Sequence, residues 1–222
     1  MERVESLGIE NYIIYQDDGG YCFTSDAVLL SKFAKAKAGD IVADFCSGSG
    51  IVGIHFYLLN KNVKSVDLFE MQENLYSLSV KTVVANGLEG KIIPHNVRLQ
   101  DISNEYNEKF SLILVNPPYM PVNDCDKTPT SIEICKEEYA IKLQELITIS
   151  AKKLKYGGRL NMVHRADRLA EIIYFMKSCN IEPKRMQLVS GSEDKSAYLV
   201  LIEGVKGGKP GLKIEKELIN RG

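Results

Sequence analysis

Nothing in these 222 residues reads as a membrane span, because no apolar run approaches the roughly 18 residues a bilayer-crossing helix needs. The opening residues Met1-Glu2-Arg3-Val4-Glu5-Ser6 lack the basic-then-apolar order of an export signal, so the expected location is the cytoplasm, with no membrane partner. Cysteine is sparse: Cys22, Cys46, Cys125, Cys135 and Cys179 form no paired metal spacing and are odd in number, which fits reduced thiols. Only three histidines occur, His55, His95 and His164, and no motif spacing joins them. His55 lies on an apolar helical face and reads as a packed core residue rather than a base or ligand. No metal is expected. Internal repeats and low-complexity segments are missing, and net charge is almost absent at −1.

What is present is enough for one α/β domain, since a 222-residue chain that is 45% apolar can bury a substantial core without disulfides. Strand-like and helix-like segments alternate, the pattern of a mostly parallel sheet covered on both faces. Helices are expected over Ser25 to Lys35, with Leu29, Leu30 and Phe33 inward, over Met71 to Asn86, over Ile132 to Leu154 and over Ala166 to Cys179. Strands are expected over Lys91 to His95, Leu160 to His164, Met186 to Val189 and Ala197 to Ile202. Met120 to Thr130, rich in Pro, Asp, Asn and Lys, reads as an exposed loop over a substrate.

Two motifs carry chemistry. Ile41-Val42-Ala43-Asp44-Phe45 reads as a buried strand that runs into Cys46-Ser47-Gly48-Ser49-Gly50 and then the apolar helix Ile51 to Leu59. Glycines let the backbone approach a ligand, and a helix start presents free N–H groups, so this unit suits an adenosine-bearing cofactor. Gly48, Gly50 and Gly53 also spell the dinucleotide fingerprint. A second strand, Val66 to Phe69, ends at Glu70, whose carboxylate could accept from ribose hydroxyls.

The other motif is Asn116-Pro117-Pro118-Tyr119, at the mouth of the apolar strand Leu112-Ile113-Leu114-Val115. A planar –NH₂ group is a poor nucleophile because its lone pair is delocalised, and it needs acceptors that reorient its hydrogens. Asn116 can supply a side-chain oxygen and Pro117 a backbone carbonyl held by the rigid Pro-Pro pair. Tyr119 offers a face on which a flat group can stack. A dinucleotide oxidoreductase would need a hydride pocket with a proton-transfer residue, and none stands out. A methyltransferase reading uses both motifs.

Asp44 to Gly50, Glu70 and Asn116 to Tyr119, in this order, resemble the class I methyltransferases that modify amino groups. Tyr21 to Leu30, Leu160 to Arg168 and Ile202 to Leu212 extend the likeness to the tRNA(Val) adenine-37 N(6)-methyltransferase family over nearly the whole chain. The resemblance implies a Rossmann-like fold with a seven-stranded, mostly parallel sheet. It implies one methyltransferase domain over 1–222, with a cofactor-covering segment at 1–38 and the core at 39–222. The implied activity is methyl transfer from S-adenosylmethionine to an adenine beside a tRNA anticodon. The implied cofactor set is Asp26, Asp44, Cys46, Ser47, Gly48, Ser49, Gly50, Glu70, Met71, Asp101 and Asn116. One departure stands out: the family's Arg-His-Glu cluster after the tetrapeptide is replaced here by Glu133-Ile134-Cys135-Lys136-Glu137-Glu138.

Charge is unevenly distributed along the chain. Residues 1–149 carry 13 Lys and Arg against 21 Asp and Glu, whereas residues 150–222 carry 15 against 8. A basic C-terminal third suits a polyanion such as tRNA, with Lys152, Lys153, Lys155, Arg165, Arg168, Lys184, Arg185, Lys206 and Lys209 as candidate phosphate contacts. Arg165, Arg168, Lys206 and Lys209, with Tyr119, form the expected substrate set. Three alternatives stay open: a glutamine amide of a release factor, a DNA adenine, and a cofactor- or RNA-binding module without turnover. Monomer and homodimer are equally compatible with the sequence.

Overall fold

The computed structural model of the chain describes residues 2–17, 25–119 and 141–220. Its centre is the strand Phe110–Val115, every residue of which is buried. Leu112 and Leu114 enter one core cluster, while Ile113 and Val115 enter the other. A strand that alternates between two cores must be covered on both faces, which is why it reads as a continuous apolar run.

In chain order the strands are β1 (Glu2–Ser6), β2 (Ile13–Asp17), β3 (Ile41–Phe45), β4 (Ser65–Glu70), β5 (Ile92–Asn96), β6 (Phe110–Val115), β7 (Leu154–Arg165), β8 (Ile181–Ser190), β9 (Leu199–Lys206), β10 (Lys213–Ile214) and β11 (Leu218–Ile219). The helices, in this article's numbering, are α1 (Ser25–Phe33), α2 (Ile51–Leu59), α3 (Glu73–Ala85), α4 (Leu143–Lys153) and α5 (Leu169–Ser178). The main sheet runs β10-β8-β9-β7-β6-β3-β4-β5, and β11 also pairs with β8. Seven long strands match the expected sheet, and two two-residue strands extend its β8 edge. From β5 to β7 every pairing is parallel; β9 runs antiparallel to both β7 and β8. Chain order reverses between β3 and β6, the crevice where open α/β sheets bind ligands.

Helix α2 is apolar all round, and all of it except Leu59 is buried, so it is a core helix rather than an amphipathic surface one. His55 on α2 hydrogen-bonds Ser31 of α1 at 2.7 Å, and burial, with Lys32 nearby, holds the imidazole below its usual range. The C-terminal end of α1 is held from the sheet. Arg159 donates to the Lys35 carbonyl and to Asp40 (2.5 Å), and Arg185 donates to the Phe33 carbonyl at 2.7 Å. The bond to Phe33 satisfies a carbonyl that the helix end leaves without a partner.

Several boundaries differ from expectation for physical reasons. Strand β7 begins at Leu154 because the chain turns straight from α4 into pairing with Phe110, with a register shift before Leu112 pairs with Arg159. The hairpin β1–β2 has a polar first strand with little alternation, so its pattern is weak. It is held by α3 instead, through Tyr15 N–H to Thr82 Oγ1 and Ile13 N–H to Asn86 Oδ1, both at 3.0 Å. The expected loop Met120 to Thr130, the first part of the helix expected over Ile132 to Leu154, and Tyr21 to Thr24 lie outside the described residues.

Candidate active site

At the end of β3 the backbone enters the left-handed region at Cys46 (φ 58°), Gly48 (φ 56°) and Gly50 (φ 90°). Only glycine adopts that region without a steric penalty, which explains two of the three residue types. The turn is closed by Gly50 N–H to the Ser47 carbonyl (2.8 Å) and tied to β4 by Ser47 N–H to the Phe69 carbonyl (3.1 Å). A Cβ on Gly53 would lie 2.5 Å from Leu68 and 3.1 Å from the Asp44 Cβ, so this glycine lets α2 lie directly on the sheet.

Glu70 is the last residue of the adjacent strand β4. Its carboxylate accepts from Gly48 N–H at 2.9 Å and from Gln72 N–H at 2.8 Å, which locks the two strand ends together. Burial raises its affinity for a proton, and the backbone N–H groups of Gln72, Gly48 and Met71 oppose this. A carboxylate with spare lone pairs facing a cleft can still accept from hydroxyl groups.

Cys46, Ser47, Gly48, Ser49, Glu70, Met71, Asn116 and Pro118 all line one cleft, whose space counted out to open solvent is about 850 Å³. The sequence reading missed its apolar wall of Phe69, Val97, Leu99 and Ile141. The available signal was Val97 directly after β5. The residues fit S-adenosylmethionine: a hydroxyl (Ser47 Oγ) buried with no hydrogen-bond partner among the described residues, an open glycine turn at Gly48, a carboxylate for ribose hydroxyls and an apolar wall for a purine.

Four expected members of the cofactor set sit elsewhere. Asp44 is fully buried behind the turn and accepts from Gly53 N–H at 2.8 Å, so it caps α2 instead of lining the cleft. Burial, opposed by that bond and helped by the Glu70 charge, pushes its carboxyl up to about 8. Gly50 faces Ile54, Leu68 and Ser79. Asp101 is exposed, and its neighbours Leu99 and Gln100 line the cleft in its place, because the 3₁₀ turn Leu99–Asp101 directs it outward. Asp26 meets the other half of the site, where its carboxylate accepts from the Tyr119 hydroxyl at 2.5 Å. Among the described residues of 1–38, none lines the cleft.

Tyr119, Asp26, Arg165, Asp167, Ala197, Tyr198 and Leu199 line a second cavity of about 680 Å³, counted to its mouth. The tetrapeptide therefore borders both cavities: Asn116 and Pro118 face the first, and Tyr119 the second. Pro117 is buried. His164 packs on the Tyr119 ring with centroids 5.6 Å apart. Its Nδ1 accepts from Arg165 N–H at 2.9 Å, so Nε2 carries the proton, and burial holds the imidazole neutral, down to about 4.

The basic candidates divide. Arg165 lines the second cavity and pairs with Asp167, while Arg168 sits on the turn after β7 and pairs with Glu171 at 2.8 Å. Lys206 and Lys209 do not join them. The antiparallel register carries β9 to the opposite end of the sheet, where Lys206 donates to the Leu154 carbonyl and pairs with Glu108. There the Lys209 carbonyl accepts from Lys184. Lys153 and Arg185 are buried and spent on carbonyls of the fold, so neither faces a polyanion.

The methyltransferase small domain family matches residues 23–176 of the chain. The chain is 20% identical, over 87% of its length and 81% of the relative's, to a tRNA1(Val) (adenine(37)-N6)-methyltransferase of Parabacteroides distasonis. It is 27% identical to a release factor glutamine methyltransferase of Leptospira interrogans over 60% of its length, spanning about half (49%) of that relative. A crystal structure of a predicted O-methyltransferase from Agrobacterium tumefaciens superposes with a TM-score of 0.70 at 18% identity, covering 87% of this chain and 86% of that one, a likeness of fold. The chain belongs to the methyltransferase small domain family and is an S-adenosylmethionine-dependent methyltransferase of class I fold.

Proposed function

We propose that the chain methylates the exocyclic amino group of an adenine in tRNA, beside the anticodon of tRNA(Val). The observation that carries this reading is the position of Asn116-Pro117-Pro118-Tyr119 between two cavities, one fitted to the cofactor and one walled by aromatic rings and a guanidinium. Within it, the Asn116 side-chain oxygen and the Pro117 carbonyl accept the two hydrogens of the amino group. Its nitrogen lone pair is thereby turned out of conjugation and toward the cleft. S-adenosylmethionine supplies an activated methyl group when bound. Ser47, the Gly48 turn, Glu70 and the apolar wall would hold it beside the acceptor; the sulfur departs as the thioether when its methyl passes to nitrogen, and the excess proton is lost to water.

On the acceptor side, Asp26 fixes the hydroxyl of Tyr119, and Tyr119 presents its ring to a flat group. The Parabacteroides relative, which spans most of this chain, supports adenine in tRNA. The Leptospira relative supports a glutamine amide as the second reading, since a carboxamide –NH₂ fits the same grip. We place the enzyme in the cytoplasm, where tRNA is found. Asn116→Ala tests the assignment. Transfer should be abolished while the cofactor dissociation constant stays within a few-fold, and unchanged turnover would remove Asn116 from the chemistry.

A further inference from the structure

A second tyrosine lines the cavity into which Tyr119 looks. Tyr198 precedes β9, at the end of the sheet that carries the tetrapeptide, because Leu199 pairs with Arg165 at the C-terminal end of β7. Its backbone is pinned on both sides: its N–H donates to the Val189 carbonyl at 2.9 Å, and its carbonyl accepts from Ala166 N–H at 3.1 Å. Its side chain is 43% exposed, yet its hydroxyl is tethered too, accepting from Asn220 Nδ2 at 3.0 Å. The same amide reaches Ser25 Oγ at 3.1 Å, and Asn220 N–H donates to the Ser190 carbonyl at 2.8 Å. The chain after β11 thus straps the sheet edge to the start of α1 and fixes the phenol ring as a wall of the cavity.

We propose that Tyr198 is a specificity-determining residue that stacks the target base once it is turned out of its RNA, with Tyr119 as the other aromatic surface. This rests on the adenine-in-RNA reading above. The argument is one of shape and chemistry. Unpaired bases in RNA are recognised by stacking on aromatic side chains and guanidinium planes, and this cavity holds two tyrosines and Arg165. A glutamine side chain has no ring to occupy the second aromatic wall. Holding the ring in place beforehand avoids the ordering cost a free surface tyrosine would incur on binding.

The test compares wild type, Tyr198→Ala, Tyr198→Phe and, as a control, Tyr174→Ala, which removes an exposed ring on α5. Methylation of unmodified tRNA and the cofactor dissociation constant are measured for each. Tyr198→Ala should raise KM for tRNA on the order of tenfold or more, the scale of one stacked base, with cofactor affinity unchanged. Tyr198→Phe, which keeps the ring, should recover most of that loss, and the control should match wild type. In addition, RNA carrying 2-aminopurine at the methylated position should be less quenched when bound to Tyr198→Ala than to wild type. An unchanged KM for Tyr198→Ala overturns the proposal. So does a Tyr198→Phe as impaired as Tyr198→Ala, or a parallel loss of cofactor affinity, because both mean that Tyr198 serves the fold. Wild-type protein that methylates a glutamine-bearing protein and no RNA overturns the underlying reading instead, before any variant is compared.

Discussion

A single methyl group added at Gly53 should separate helix propensity from packing in the part of the fold that shapes the cofactor cleft. The new Cβ of Gly53→Ala would lie 2.5 Å from Leu68 Cδ2, 3.0 Å from Val66 Cγ1 and 3.1 Å from Asp44 Cβ. Leu68, Val66 and Asp44 are all essentially without solvent exposure, so none can swing away. Alanine gains about 0.8–1 kcal/mol of helix propensity over glycine. Overpacking a filled site costs about 1–3 kcal/mol, and contact with three atoms on two strands puts this site at the upper end. The net loss is then about 2 kcal/mol, which for a chain of this size lowers Tm by about 4–8 °C. Pushing α2 off the sheet also stretches the bond from Gly53 N–H to Asp44 and shifts the turn at Gly48, so cofactor affinity should fall with stability. Urea and thermal unfolding followed by circular dichroism, with calorimetric titration of the cofactor, measure both. A variant as stable as wild type, or more so, would show that propensity wins and that α2 does not approach β4 as closely as described.

Three further outcomes are expected. Asp44 holds its proton up to about pH 8 in the fold, against 3.8 for its ordinary value, so the native state binds that proton more tightly than the unfolded chain. Its contribution is therefore complete below about pH 4 and is lost as pH rises through about 8; Tm should fall across that window, and Asp44→Asn should flatten the fall, whereas an identical slope in both proteins would contradict the assignment. Glu70→Ala removes the acceptor of Gly48 and Gln72 N–H and the expected ribose contact, so cofactor affinity should drop by tenfold or more, on the scale of one to two charge-assisted hydrogen bonds; an unaffected dissociation constant would take Glu70 out of the cofactor site. Tyr119→Phe keeps the ring and removes the bond to Asp26, costing about 1.5–3 kcal/mol of positioning that should appear in kcat/KM for the acceptor and not in cofactor binding.

The strand, turn and helix over Ile41 to Leu59 were legible in the sequence because one segment carries the whole unit, and glycine and apolar residues each have a direct local cause there. The tetrapeptide was legible for the same reason. The partner of Tyr119 was not, since Asp26 lies 93 positions away and only the packing of α1 beside the sheet brings the two together. Nor could the sequence place Lys206 and Lys209, because which end of the sheet they reach depends on β9 running antiparallel to β7. Burial reassigns Asp44 in the same way: an acid before a glycine turn looks like a ligand contact until the backbone directs it to Gly53 N–H. Long-range pairing, rather than local preference, decided each of these.

The most direct measurement is to incubate the purified protein with S-adenosylmethionine and unmodified total tRNA, digest to nucleosides and look for N(6)-methyladenosine by mass spectrometry. Its appearance with wild type, and its loss with Asn116→Ala, is the expected result and would leave only the tRNA and the position to map. Its absence from tRNA while cofactor binding is intact would contradict adenine as the acceptor and shift the assignment to a protein amide.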